Sequence, residues 1–299
     1  MPRCLLILVL KITDRYPQHM NQKIAFIGGG NMATALLEGL LAAGAAPHNF
    51  LVIEPVDAIR AKHASRGLAT HSLAHTDLTH YGLWVLATKP QDLQQACEVI
   101  LGFLSPQTVV ISIAAGIPTH TLKAWLGGHS KIVRAMPNTP AKIGLGITGL
   151  FGTSDCSVEE KKAADEVFSA AGQRIWLDTE ALLDPITAIS GSGPAYVFYF
   201  MQAIERAAVE LGFAPTQARA LAVDTFRGAA QLAALDKTPL ADLCARVTSK
   251  GGTTEAALTS MEAAGVSQAI VDALHQANLR AHALAESLSS LDYKNNTAQ

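Results

Sequence analysis

From residue 23 to about 152, short runs of β-branched and aliphatic residues alternate with stretches in which apolar positions recur every three or four residues. This is the pattern of βαβ units on a parallel sheet. It predicts strands at 24–27, 51–54, 83–87, 109–113, 131–134 and 147–151, with amphipathic helices at 31–41 and 91–104 between them. A helix at 158–171 and a short strand at 174–177 complete the expected domain, a doubly wound α/β fold of Rossmann type with helices on both faces. After about residue 179 only helical periodicity continues. Pro194 suits a first helical position and Gly212 a stop; a second helix follows Pro215 to about 235, and Thr238-Pro239 opens a third that ends near Val247. A last long helix is expected at 267–289. Several of these helices are too Ala-rich to cover their own faces, which points to an all-α dimerisation domain.

The expected division is therefore an N-terminal extension at 1–22, a dinucleotide-binding domain at 23–180, a helical domain at 181–289 and a disordered tail at 290–299. The apolar run from Cys4 to Leu10 is too short to span a membrane, and Lys11 to Arg15 follow it where a secretory signal would carry a small-residue cleavage site. The segment before Lys23 reads either as an accessory strand or arm, or as an upstream extension if translation starts at Met20.

Composition narrows the function class. Of 299 residues, 49% are hydrophobic and 16% charged, which excludes a disordered or low-complexity chain. The 23 basic and 25 acidic residues leave a formal charge of −2 with no basic block, so nucleic acid and anionic membranes are not expected partners. The four cysteines lie far apart and form no C-x-x-C pair, and they are read as buried thiols in a reducing cytoplasm.

The residues 24–33, IAFIGGGNMA, place a strand directly before G-x-G-x-x-A and a helix after it. In the dinucleotide fingerprint Gly28 makes the tight turn, Gly30 lets the backbone approach a pyrophosphate, and Ala33 lets helix pack on strand. Gly29, Asn31 and Met32 share that turn, and the helix N-terminus faces the anion. Glu54 supplies the acidic residue expected about 20 positions on. Other strand ends fall on the ligand-binding edge of such a sheet: Ala87-Thr88-Lys89-Pro90, the 112–116 segment with Ala114, and Met136-Pro137-Asn138-Thr139-Pro140. Lys89 reads as a phosphate or substrate ligand or as a solvated loop lysine. Asn138 reads equally as a partner of nicotinamide or substrate and as a turn residue between prolines.

In the helical domain, residues 247–255 (VTSKGGTTE) form a small polar loop that enters a helix. Its N–H groups and hydroxyls read as a carboxylate pocket or as an ordinary helix cap. No metal-ligating cluster stands out, and the ten histidines are read as structural.

Together the segments IVRAMPNTP (132–140), SGSGPAY (190–196) and the 247–254 loop resemble the pyrroline-5-carboxylate reductase family over about residues 23–289. The resemblance implies hydride transfer from NADPH or NADH to the protonated cyclic imine of 1-pyrroline-5-carboxylate, giving L-proline. It implies an interlocked homodimer and leaves room for a higher oligomer. Ser249, Gly251, Gly252, Thr253 and Thr254 would then hold the substrate with Asn138, with Thr254 accepting the iminium N–H bond and Ser249 beside it as the second catalytic candidate.

Two alternatives stand beside this. A 3-hydroxyacid dehydrogenase would carry a catalytic lysine in a helix of the second domain, but beyond residue 179 only Lys237, Lys250 and Lys294 occur. A non-catalytic dinucleotide-sensing module would need only the Gly28–Ala33 turn. Cofactor choice is divided. Many relatives place Asn or Ser followed by Arg after the second strand, which suits NADPH, whereas Glu54-Pro55 here suits the ribose hydroxyls of NADH and repels a 2′-phosphate. Arg60, Lys62 and Arg66 follow close enough to reach such a phosphate.

Overall fold

Along β1 (Ile24–Ile27) every residue is buried, and consecutive side chains enter different cores. Ile24 and Phe26 join one cluster, Ala25 and Ile27 the other. This is the signature of a central strand covered on both faces, because side chains alternate with a period of two. The computed structural model describes residues 22–295, so the expectation for the N-terminal extension lies outside the described residues.

The other strands are β2 (Phe50–Ile53), β3 (Ala69–His71), β4 (Leu83–Leu86), β5 (Val109–Ser112), β6 (Ile132–Met136), β7 (Gly146–Gly152) and β8 (Gly172–Trp176). They form one sheet in the order β3-β2-β1-β4-β5-β6-β7-β8. The order reverses direction between β1 and β4, which makes the crevice beyond their carboxyl ends the expected ligand position. Helices α1 (Asn31–Ala42), α2 (Asp57–Ala64), α3 (Leu93–Ile100), α4 (Thr119–Trp125), α5 (Val158–Ser169) and α6 (Leu183–Ile186) complete this unit. Leu36, Leu37 and Leu40 of α1 and Val167 and Phe168 of α5 fill one face of the sheet. Leu93, Cys97 and Ile100 of α3 and Leu122 of α4 fill the other.

Four expectations are corrected here. The sheet is not wholly parallel, since β7 runs antiparallel to β6. Residues 137–145 hold only a five-residue 3-10 segment, Thr139–Ile143, and no helix able to carry the chain back for parallel pairing. Strand β3 was not anticipated; it has three residues and pairs on one side only, with β2, so it leaves little hydrophobic pattern. The helix expected at 91–104 is regular only over Leu93–Ile100, flanked by 3-10 turns at Pro90–Asp92 and Leu101–Phe103. Among the cysteines, Cys97 and Cys156 are buried but Cys244 is exposed, and Cys4 lies outside the described residues.

Local signals explain several boundaries. Ser157 Oγ accepts from the Glu160 N–H at 3.2 Å and Glu160 returns Oε2 to the Ser157 N–H at 2.8 Å, a capping box that starts α5.

The chain divides into two units, one up to Gly191 and from Asn278 onward, the other Ser192–Ala277. Residues 180–190 are tied into the first unit. Glu180 bonds Arg134 and Thr119, and the carbonyl of Ser190 accepts from Asn138. The second unit holds α7 (Gly193–Glu210), α8 (Pro215–Leu235), α9 (Leu240–Arg246), α10 (Thr253–Ala263) and the first part of α11 (Val266–Asn295). Its buried residues are small, namely Ala208, Ala218 and Ala222, whereas Phe198, Tyr199 and Leu232 are exposed. Helix α11 runs to Asn295, past the start of the expected disordered tail, because no Gly or Pro follows Gly265 to stop it.

Candidate active site

Gly28 leaves β1 with φ +100°, a backbone conformation that favours glycine, and donates its N–H to the Ile53 carbonyl at 2.8 Å. A Cβ there would stand 2.8 Å from the backbone of Ala87, so the turn and the end of β4 approach only because residue 28 is glycine. Gly30 serves differently. It caps α1 with φ −65°, and a Cβ built on it meets nothing within 4 Å. The space over Gly30 is open at the N-terminus of α1, where unpaired N–H groups and the helix dipole favour an anion. A pyrophosphate fits that cradle. Ala33 is buried, as the close packing of α1 on the sheet requires.

Gly29 is held from both sides of its peptide. Its N–H donates to Glu54 Oε2 at 2.8 Å, and its carbonyl accepts from Thr34 Oγ1 at 3.2 Å and pairs with His63 Nε2 at 2.8 Å. His63 is buried, and its Nδ1 has no hydrogen-bond partner among the described residues. Glu54 is also buried, with Oε1 accepting from the Val56 N–H at 2.9 Å. The acid expected to face a ribose therefore already holds the glycine turn in place. Arg60 is spent locally, on the carbonyls of Glu54 and Pro55 and on Asp57, and Arg66 pairs with Glu38. His63 and Thr34 escaped the sequence reading, since a lone helix histidine and a helix threonine carry no signal without the fold.

Beyond the turn, the Ala87 N–H reaches the Ile27 carbonyl at 2.7 Å, bringing the Ala87–Pro90 segment beside Gly28. The Thr88 hydroxyl is buried without a hydrogen-bond partner among the described residues, the condition of a polar atom awaiting a ligand. Lys89 is exposed. At the end of β5, Ser112 is buried and the Ala114 N–H lies 3.4 Å from its Oγ.

Asn138 is committed to the framework. Its Oδ1 accepts from the Ile147 N–H at 2.9 Å and its Nδ2 donates to the Ser190 carbonyl at 3.0 Å, so the side chain ties the end of β6 to β7 and to the turn before α7. The nearby buried Arg134 donates to Glu180 Oε1 at 2.7 Å, and Glu180 also accepts from the Thr119 N–H and hydroxyl. Burial on its own would raise the Glu180 carboxyl, but the hydrogen bonds from Thr119 and Arg134 outweigh it and hold the group below its ordinary value.

In the second unit, the 247–254 loop differs from its expected form. The Gly251 N–H donates to Glu255 Oε2 at 2.7 Å and the Gly252 N–H to the Ser249 carbonyl at 3.0 Å, so these two donors are not free. Gly251 has φ +73°, and a Cβ on Gly252 would meet Ser249 O and Oγ at 2.9 Å. Thr253 and Thr254 begin α10, whose first-turn N–H groups point past the helix end. Those groups, the hydroxyls of Ser249, Thr253 and Thr254 and the Lys250 ammonium are left as donors for an anion.

Two family models match. One described as pyrroline-5-carboxylate reductase dimerisation covers residues 180–284, and one described as NADP oxidoreductase, coenzyme F420-dependent, covers residues 23–116. Pyrroline-5-carboxylate reductase of Pseudomonas aeruginosa is 40% identical over 272 residues, 89% of this chain and 98% of that protein. The Haemophilus influenzae enzyme is 36% identical over 252 residues, 84% of this chain and 93% of the relative. Among solved structures, a pyrroline-5-carboxylate reductase from Coxiella burnetii superposes with a TM-score of 0.84 at 36% identity, covering 88% of this chain and 98% of the other. A Plasmodium falciparum pyrroline carboxylate reductase with NADP bound gives 0.78 at 27% identity, covering 89% and 98%. With identity of this level over nearly the full length of its relatives, the chain belongs to the pyrroline-5-carboxylate reductase family.

Proposed function

We propose that this chain reduces 1-pyrroline-5-carboxylate to L-proline with NADPH or NADH. The observation that carries the reading is the joint presence of the open cradle over Gly30 and a family relationship that spans both units. When bound, the reduced nicotinamide dinucleotide supplies the hydride. The cyclic imine, once protonated, is electrophilic at C5 without help from the protein, so the chain has chiefly to position the two partners. Gly28–Ala33 and the Ala87–Pro90 segment hold the dinucleotide, with the Thr88 hydroxyl and Lys89 as its polar contacts and Ala114 at the nicotinamide end. Glu54 holds the loop that receives the pyrophosphate, and Asn138 acts through the β6–β7 connection it braces. The loop with Ser249, Gly251, Gly252, Thr253 and Thr254 receives the substrate carboxylate. The Thr254 hydroxyl accepts the iminium N–H bond, with Ser249 beside it.

The exposed Phe198 and Tyr199 fall inside the matched dimerisation segment, which supports a homodimer built through the helical unit. The same apolar surface leaves room for assembly beyond a dimer. No described helix is long and apolar enough to cross a membrane. The buried free thiols Cys97 and Cys156 support a reducing, cytoplasmic setting, and burial pushes the Cys97 thiol up to about 12, leaving it inert.

The deciding assay follows oxidation of NADPH and NADH with pyrroline-5-carboxylate, against a 3-hydroxy acid in the reverse direction. Imine-dependent oxidation is expected. Cofactor binding without it would leave a sensing module, and turnover of the hydroxy acid alone would make the chain a dehydrogenase. The second outcome has little support, because α7 contains no lysine.

A further inference from the structure

Three side chains outside the proposed cofactor and substrate residues converge at the edge of the sheet. His71 ends β3, while His75 and Asp77 lie at the entry to a 3-10 turn, Thr76–His80. Asp77 Oδ2 stands 2.8 Å from His71 Nε2 and 3.4 Å from His75 Nδ1. The two imidazoles stack with centroids 4.2 Å apart and planes 18° from parallel. One donor atom from each residue lies within 4.8 Å of the others.

Hydrogen bonds already gather these groups around Asp77. His75 Nδ1 accepts from the Asp77 backbone N–H at 3.3 Å, so that nitrogen presents a lone pair. The same nitrogen lies 3.4 Å from the Asp77 carboxylate oxygen, close enough for one cation, a proton or a metal ion, to serve both atoms.

The donor set defines the cation. Two imidazole nitrogens and one carboxylate suit zinc, cobalt or nickel better than magnesium or calcium, which take oxygen ligands. In a tetrahedral site with bonds of about 2.0–2.1 Å the donors stand about 3.3 Å apart. The observed separations of 2.8 and 3.4 Å from Asp77 lie close to that. The side chains of His71, His75 and Asp77 are 32%, 50% and 47% exposed, so the rings have room to turn onto a shared ion, and water can fill the fourth position.

We propose that His71, His75 and Asp77 form a surface site for one divalent transition-metal ion per chain. His71 coordinates as the neutral tautomer with its hydrogen on Nδ1, freeing Nε2, and His75 coordinates through Nδ1, whose lone pair leaves the long hydrogen bond from the Asp77 N–H for the ion. The ion changes no oxidation state and takes no part in imine reduction.

Titration of the full-length protein with Co²⁺, read by its visible d–d absorption, and with Zn²⁺ by calorimetry tests the site. The wild type is expected to bind one more equivalent than His75→Ala or Asp77→Asn, or to bind that equivalent at least about tenfold more tightly. Far-UV circular dichroism checks that each variant is folded, and His75→Gln replaces the alanine variant if it is not. Equal stoichiometry and affinity in wild type and variants would overturn the proposal. So would a cluster whose imidazoles titrate with pH by NMR but give no cobalt band, since a proton would then be its only cation.

Discussion

The backbone N–H of Gly29 donates to the buried carboxylate of Glu54 at 2.8 Å, joining the glycine turn after β1 to the end of β2 across 25 residues of sequence. The Gly29 carbonyl is held at the same time by Thr34 and His63. A turn fixed at both ends of one residue presents its following N–H groups to a ligand without having to order them first, which lowers the entropic cost of binding.

Glu54→Ala is therefore expected to raise the KM for NADPH and NADH together, by about tenfold, as the buried Gly29 N–H and the part-buried Val56 N–H lose their acceptor. Steady-state kinetics with both cofactors checks this. If Glu54 instead acts by repelling a 2′-phosphate, Glu54→Ser shifts the NADPH to NADH ratio of kcat/KM by up to about tenfold and leaves NADH unaffected.

Two glycines of one motif should fail in different ways. Gly30→Val places its side chain in open space, so the protein is expected to fold with near-normal Tm and lose measurable cofactor binding. Gly28→Ala combines a positive φ with a 2.8 Å backbone approach to Ala87 and is expected to lose about 2–4 kcal/mol of stability. Denaturant unfolding alongside cofactor titration by fluorescence separates the two.

Glu180→Ala leaves Arg134 buried without its carboxylate and should cost about 3 kcal/mol in urea unfolding. The pH dependence has a definite sign. The folded-state value of Glu180 lies below its ordinary 4.5, so its contribution is complete above that ordinary value and is lost as pH falls through the lowered one. The wild-type advantage over Glu180→Ala should therefore shrink in acid. A constant difference from neutral pH down to strong acid would remove the ion pair from the account.

Thr254→Ala is expected to lower kcat/KM for the imine about tenfold while the KM for cofactor is unchanged, the result of deleting one hydrogen bond to the substrate. Unaltered imine turnover would reassign the α10 threonine to helix capping.

Phe198→Asp puts a charge on an apolar face of α7 that is 64% exposed in the single chain. Sedimentation should show the dimer dissociation constant raised about 100-fold or more. An undisturbed dimer would place the interface elsewhere on the helical unit.

The linear sequence was sufficient for those features whose physics is local. The strand-to-glycine turn at 24–33 and the helix start at Pro194 both depend on neighbours within a few residues, and the structure contains each. The two-faced burial of β1 accords with its unbroken apolar run. Tertiary structure decided what depends on partners far along the chain. The antiparallel turn of β7 follows from how little helix lies between it and β6, and the edge strand β3 becomes a strand only by pairing with β2. The same holds for side-chain roles. Glu54 lies where the dinucleotide pattern puts an acid, yet its oxygens are engaged by Gly29 and Val56; Asn138 is engaged by Ile147 and Ser190. Residue type announces that a group can accept or donate a hydrogen bond. Which partner it takes is settled by the folded backbone, because buried polar groups bond whatever donor or acceptor the packing brings within reach.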